Sequence, residues 1–122
     1  MPIISHYKNI KPYTTQDNSE IRELMHPNVQ GNQLQSLAEA IVKPHEITRL
    51  HFHKKSEELY FILQGIGEMQ LGNEIFTVNT GDTICIPPTT KHCIKNIGAN
   101  DLKILCCCSP AYAHTDTIMT DK

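Results

Sequence analysis

Long apolar runs are missing from this 122-residue chain. The most apolar stretches, such as Leu59 to Leu63, fall far short of the roughly 20 residues that a membrane-spanning helix needs. Met1 to Tyr13 lacks an apolar segment behind a basic one, so no secretory leader is expected. Charge of one sign is missing too. The 11 basic and 13 acidic side chains are scattered and nearly cancel, for a net charge of -2, which leaves no footprint for nucleic acid or an anionic membrane. A paired cysteine framework is absent: there are five cysteines, an odd number, with Cys106, Cys107 and Cys108 in succession. That pattern suits reduced, buried thiols, and a cytoplasmic location is the expectation. Small-molecule partners stay open.

Long helical periodicity is lacking as well, and short strand-like segments take its place. A chain of this length is one ordinary domain, able to bury roughly two thirds of its unfolded surface. Ser36 to Val42 ends on β-branched residues, Glu46 to His53 alternates Ile47, Arg49, His51 and His53 against Thr48, Leu50 and Phe52, and Glu58 to Leu63 is apolar and aromatic. Gly72 and Asn73 sit between Met69 to Leu71 and Glu74 to Val78 in the manner of a two-residue hairpin turn. Thr83 to Ile86 is stopped by Pro87 and Pro88, which cannot donate ladder hydrogen bonds. His92 to Asn96 and Leu102 to Cys108 complete the set. In the last, Cys106 and Cys108 read as small hydrophobes of a core strand. Ser19 to Met25 is either a short helix capped by Ser19 or an edge strand. Repeated short strands with turns between them predict an all-β sandwich or barrel.

Two histidines stand out within that pattern. On a strand, residues two apart share a face, so His51 and His53 can reach one point in space. Two such nitrogens make a divalent metal plausible, and more ligands are needed to define a site.

The spacing of His51, His53, Glu58 and Gly65, followed by Gly81, Pro87, His92 and Asn96, resembles the two motifs of the cupins, small jelly-roll barrels. The resemblance covers about Ile41 to Pro110, and two turn glycines of the pattern are replaced, by His45 and Thr89. It implies an arm and edge elements over residues 1–35, a barrel core over residues 36–110 and a tail over residues 111–122. It also implies a metal held by His51, His53, Glu58 and His92. Glu57 competes for the carboxylate position, but the gap to Gly65 and the face shared with Tyr60 and Ile62 select Glu58. Three imidazoles and a carboxylate suit a divalent transition metal, with iron or manganese favoured and zinc, nickel or copper also accommodated.

Strand parity then assigns the walls. Arg49 shares the face of His51, as an anchor for an anionic group or as an ion-pair partner of Glu39. Met69, Ile94 and Asn96 are expected to line the substrate cavity, and Tyr60 or Glu57 to move protons. His6, His26, His45 and His114 read as surface imidazoles.

Cupins resembling this chain include dioxygenases, isomerases, lyases, epimerases and proteins that only bind ligands. The leading expectation is a dioxygenase-like metalloenzyme acting on a small oxygen-rich or anionic metabolite, since Met69, Ile62 and Ile94 would give an apolar cavity. The alternatives are a non-catalytic metal-binding or ligand-binding module, and an isomerase or lyase acting on a sugar or keto acid. Apolar residues among Met1 to Asp17 and the open edges of a sandwich predict a homodimer to which the N-terminal arm contributes.

Overall fold

A computed structural model describes residues 1–120; the end of the expected tail, residues 121–122, lies outside the described residues. Eleven strands form two sheets. The first sheet contains β1 (Tyr13–Thr14), β2 (Glu20–Met25), β3 (Ser36–Val42), β10 (Leu102–Ser109), β5 (Glu57–Gln64) and β8 (Thr83–Ile86), in that order. The second runs β11 (Thr117–Met119), β4 (His51–His53), β9 (His92–Asn96), β6 (Ile66–Leu71) and β7 (Glu74–Asn79). All pairings are antiparallel, and the order interleaves early and late strands, which makes the chain the expected jelly-roll sandwich. Within Ser19 to Met25 the strand forms rather than the helix: β2 pairs with β3 along its length, and the two-residue β1 covers its other side as the edge of the sheet.

Alternation does most of the sorting. Along β5, Glu58, Tyr60 and Ile62 are buried while Glu57, Leu59, Phe61 and Leu63 are exposed. Along β10, Leu102, Ile104, Cys106 and Cys108 point inward. Ile62, Ile86, Ile94, Leu102, Ile104 and Met69 are almost wholly buried between the sheets. Each such side chain contributes roughly 1.5–3 kcal/mol when removed from water.

Two departures from the expected strands matter for the site. The segment from Glu46 to His53 is not one strand: only His51–His53 pairs as β4, and Ile47 makes an isolated bridge to Lys95. The tail contributes a strand as well. Thr117–Met119 adds β11 to the edge of the second sheet, in register with His53, Phe52 and His51.

The turns keep their shape despite the two replaced glycines. His45 and Thr89 both adopt positive φ, 70° and 67°. Thr89 is held there by its N–H donating to His53 O at 2.7 Å, and His45 by its N–H donating to Asn96 O at 3.2 Å. Gly65, at φ 99°, keeps its glycine; a Cβ there would lie 3.2 Å from the backbone of Asp101 and Leu102.

Asn96 organises the loop at the end of β9. Its side-chain amide donates to Val42 O and Asn100 O, both at 2.8 Å, and its Oδ1 accepts from Gly98 N at 2.8 Å. Asn96→Ala leaves these partners unsatisfied in a fully buried position, and should cost about 2–4 kcal/mol of stability, read as a lowered midpoint in urea unfolding. A loss within 0.5 kcal/mol would contradict this structural role.

Candidate metal centre

β4 brings His51 and His53 onto one face, and its register with β9 sets His92 directly opposite His51. Glu58 enters from the facing sheet, one turn after β4. That turn is tied down by the tail: the N–H groups of Lys55 and Ser56 donate to the Asp116 carboxylate at 3.0 and 3.1 Å, and Ser56 Oγ donates to Pro110 O at 2.7 Å. All four side chains are buried, His92 completely.

The imidazoles are oriented by what their outer nitrogens meet. His51 Nδ1 lies 2.8 Å from Arg49 O and His92 Nδ1 2.9 Å from Thr90 O, both carbonyls that can only accept. His53 Nδ1 lies 3.0 Å from Thr117 Oγ1, whose own hydrogen goes to Ala113 O at 2.9 Å. Each Nδ1 therefore carries a proton and donates outward, which turns each Nε2 inward.

One ring nitrogen from each histidine lies within 4.8 Å of the other two. Glu58 Oε1 lies 3.1 Å from His53 Nε2 and 3.5 Å from His92 Nε2. Burial pushes the Glu58 carboxyl up, but hydrogen bonding and charge from His53 and His92 outweigh it and hold the group at about 2. Burial, together with the neighbouring His92, pushes the His51 imidazole down and keeps it neutral.

Three inward ring nitrogens and an ionised carboxylate converging this closely make a pocket for a cation. His92 Nε2 is buried and meets no partner at normal hydrogen-bond geometry, with the Glu58 carboxylate 3.5 Å away. Three imidazoles and one carboxylate are borderline donors of the kind that bind first-row divalent ions, so the residues fit the metal that the resemblance implies.

A small cavity of about 50 Å³, opening to solvent at its mouth, adjoins the triad. Tyr60 lines it, its ring centroid 6.1 Å from that of His92. Burial holds the phenol well above its usual range, so it stays protonated.

Several expected wall residues fall elsewhere. Arg49 is exposed and does not line the cavity, because the chain before His51 is not in the ladder and its alternation does not carry through. Glu39 pairs with Arg22 at 3.4 Å and accepts from Tyr7 Oη at 2.6 Å. Met69 and Ile94 are cross-strand partners in the packed core, and Asn96 holds its loop; none of the three reaches the cavity. Glu57 lies on the exposed face of β5. His26 is buried rather than superficial: its Nε2 donates to Tyr112 O at 2.7 Å and its Nδ1 accepts from Asn28 N at 3.1 Å.

The cavity is walled instead by Cys106, Cys108 and residues that motif spacing passed over: Tyr13, Asp17 and Glu23 from the N-terminal segment, and Tyr112 and Thr117 from the tail. Asp17 Oδ2 lies 3.8 Å from His51 Nε2. Glu23 is raised by burial, against the opposing pull of His26, Tyr13 and His114. The only sequence signal for these was an N-terminal segment more apolar than a free arm requires.

A small jelly roll with a buried histidine triad and a buried carboxylate beside its cavity is a barrel with the donor set of a metal site. A family model described as the cupin domain matches residues 38–108, and the chain belongs to the cupin family. An uncharacterised protein of Methanocaldococcus jannaschii, MJ1618, is 57% identical over 94% of this chain and 92% of its own length. The polyketide synthase CurC of Streptomyces cyaneus is 26% identical over 95% of this chain and 78% of its own. The oxalate decarboxylase of Lactobacillus farciminis, solved as a formate complex, superposes with a TM-score of 0.79 at 26% identity. The match covers 93% of this chain but only 34% of that one, so the chain spans about a third of the decarboxylase's length.

The tautomer assignment is directly measurable. In zinc-loaded protein at neutral pH, nitrogen-15 imidazole spectra should show His51, His53 and His92 protonated at Nδ1 and without a proton at Nε2. An Nε2–H signal from His92 under that condition would break the assignment.

Proposed function

We propose that this cupin is a metal-dependent enzyme of non-redox type, a lyase or isomerase, acting on a small oxygen-rich metabolite. One divalent transition metal, iron or manganese by preference with zinc, nickel or copper as alternatives, would be held by His51, His53, Glu58 and His92. The observation that supports the metal site is the buried convergence of the three imidazoles on Glu58, with His92 Nε2 3.5 Å from the carboxylate. When bound, such a metal polarises a substrate oxygen and stabilises the charge that develops on it. This chain's own contribution is to hold the three imidazoles in one tautomer, to keep Glu58 ionised, and to present Tyr60 as a protonated phenol in the same cavity.

The case for oxygen chemistry rested on an apolar lining of Met69, Ile62 and Ile94. Those side chains belong to the core, and the cavity wall sets Asp17, Glu23 and three tyrosines beside the apolar side chains of Ile21, Ala38, Ala40 and Met119. The relatives named as a decarboxylase and a polyketide synthase also support chemistry on oxygen-rich molecules. Glu57 has no part in this reading, because it faces away from the cavity.

Metal content after substitution tests the site. His51→Ala, His53→Ala, Glu58→Ala and His92→Ala should each lower bound metal by about 10-fold or more, whereas Glu57→Ala should leave it unchanged, both read by elemental analysis of purified protein. Retention of metal by all four variants would refute the assignment.

The chain is also proposed to form a homodimer. Leu59, Phe61 and Leu63 line the outer face of β5 at about 40% exposure each. Their neighbours across the strands, Leu105, Cys107 and Cys85, extend an apolar surface. The N-terminal arm covers only the other end of that sheet, through Tyr7 on Glu39 and Ser5 on Leu24 O, and leaves Ile3 and Ile4 exposed. Light scattering at micromolar concentration should return twice the mass of the 13.8 kDa chain; a monomer mass would count against the proposal.

A further inference from the structure

The cavity beside the triad carries an unbalanced set of charges. Asp17, Glu23 and Glu58 all line it, and among the described residues no lysine or arginine does. Glu58 is committed to the histidines, so Asp17 and Glu23 face whatever shares the cavity. An anionic ligand would meet both carboxylates where water screens poorly, and like charges repel far more strongly there than in bulk solvent.

The same two side chains have acceptor capacity to spare. Asp17 Oδ1 takes hydrogen bonds from Ser19 N at 3.0 Å and Ser19 Oγ at 2.6 Å, which fixes the carboxylate and leaves Oδ2 turned toward His51. Glu23 Oε2 lies 3.3 Å from the Tyr13 hydroxyl that donates to it, while its Oε1 is buried with no partner at all. A buried acceptor without a donor is costly, and a donor-bearing ligand supplies what it lacks. Tyr13, Tyr60 and Tyr112 add ring faces suited to a carbon skeleton.

We infer that the cavity selects an uncharged, hydroxylated ligand, and that Asp17 and Glu23 recognise it by accepting hydrogen bonds from its hydroxyl groups. The inference rests on the metal-site reading above and narrows its substrate class. Asp17 serves the end of the ligand beside the triad and Glu23 the end farther along β2. Both residues precede the segment 38–108 that carries the cupin pattern. Ligand choice is thereby written in the N-terminal segment, apart from the histidines.

The test uses an isosteric pair of probes, neutral glycolamide and anionic glycolate, titrated into cobalt(II)-loaded protein near pH 8 and followed by the cobalt absorption bands. Cobalt content is measured first. Relative to wild type, D17N/E23Q should bind glycolate about tenfold more tightly, and glycolamide more weakly. Glu23→Gln alone should shift both in the same directions by less, which keeps the test valid if the double variant does not fold. Affinities that change equally for the two probes, or not at all, would overturn the inference while leaving the metal site standing. Wild-type protein unable to hold cobalt would overturn the metal site, and this inference with it.

Discussion

Three inward imidazole nitrogens converging on one ionised carboxylate form the constraint around which this barrel is arranged. Such a cluster can hold a metal only if each imidazole is prevented from turning its Nδ1 edge inward. The outward acceptors that prevent it come from three unrelated places: Arg49 O just before β4, Thr90 O just before β9, and Thr117 Oγ1 in β11. Thr117 is itself oriented by Ala113 O. The tail therefore belongs to the site although it holds none of the converging residues.

The same demand for fixed geometry explains two uncomfortable turns. Thr89 is β-branched and sits at positive φ, a conformation that side chains of its kind rarely adopt. Its N–H donates to His53 O, so the turn before β9 is tied to the strand that carries two of the histidines. His45 is similarly strained and similarly tied, through Asn96 O. In both places a hydrogen bond to the site strands offsets a strain that glycine would have avoided.

Division of labour follows from where the chain enters the cavity. The barrel strands supply the histidines, Glu58 and Tyr60 along with the packed core behind them. The N-terminal segment and the tail supply the rest of the wall, including Asp17, Glu23, Tyr13 and Tyr112. A common metal centre with variable flanks is a general route by which one fold serves many chemistries.

Local rules of short range were enough to read much of this from residues alone. Two-residue alternation put Glu58 and Tyr60 inward and Glu57 outward, the Gly72 turn set the β6–β7 hairpin, and the motif spacing named the four residues that converge. The same alternation misled at Arg49, because parity holds only while a strand stays paired and β4 begins at His51. It misplaced Met69 and Ile94 because facing inward in a two-sheet sandwich means facing either the core or the cavity, and only the position along the barrel separates them. Asp17, Glu23, Tyr112 and Thr117 lie far from the motifs in sequence. Strand order β1-β2-β3 and the pairing of β11 with β4 bring them in. The sequence by itself thus determined the sandwich, which depends on spacings of a few residues, and through its resemblance to the cupins it named the converging quartet. Only the tertiary structure decided the tautomers, the cavity wall and its charge, which depend on contacts between segments that no local periodicity encodes.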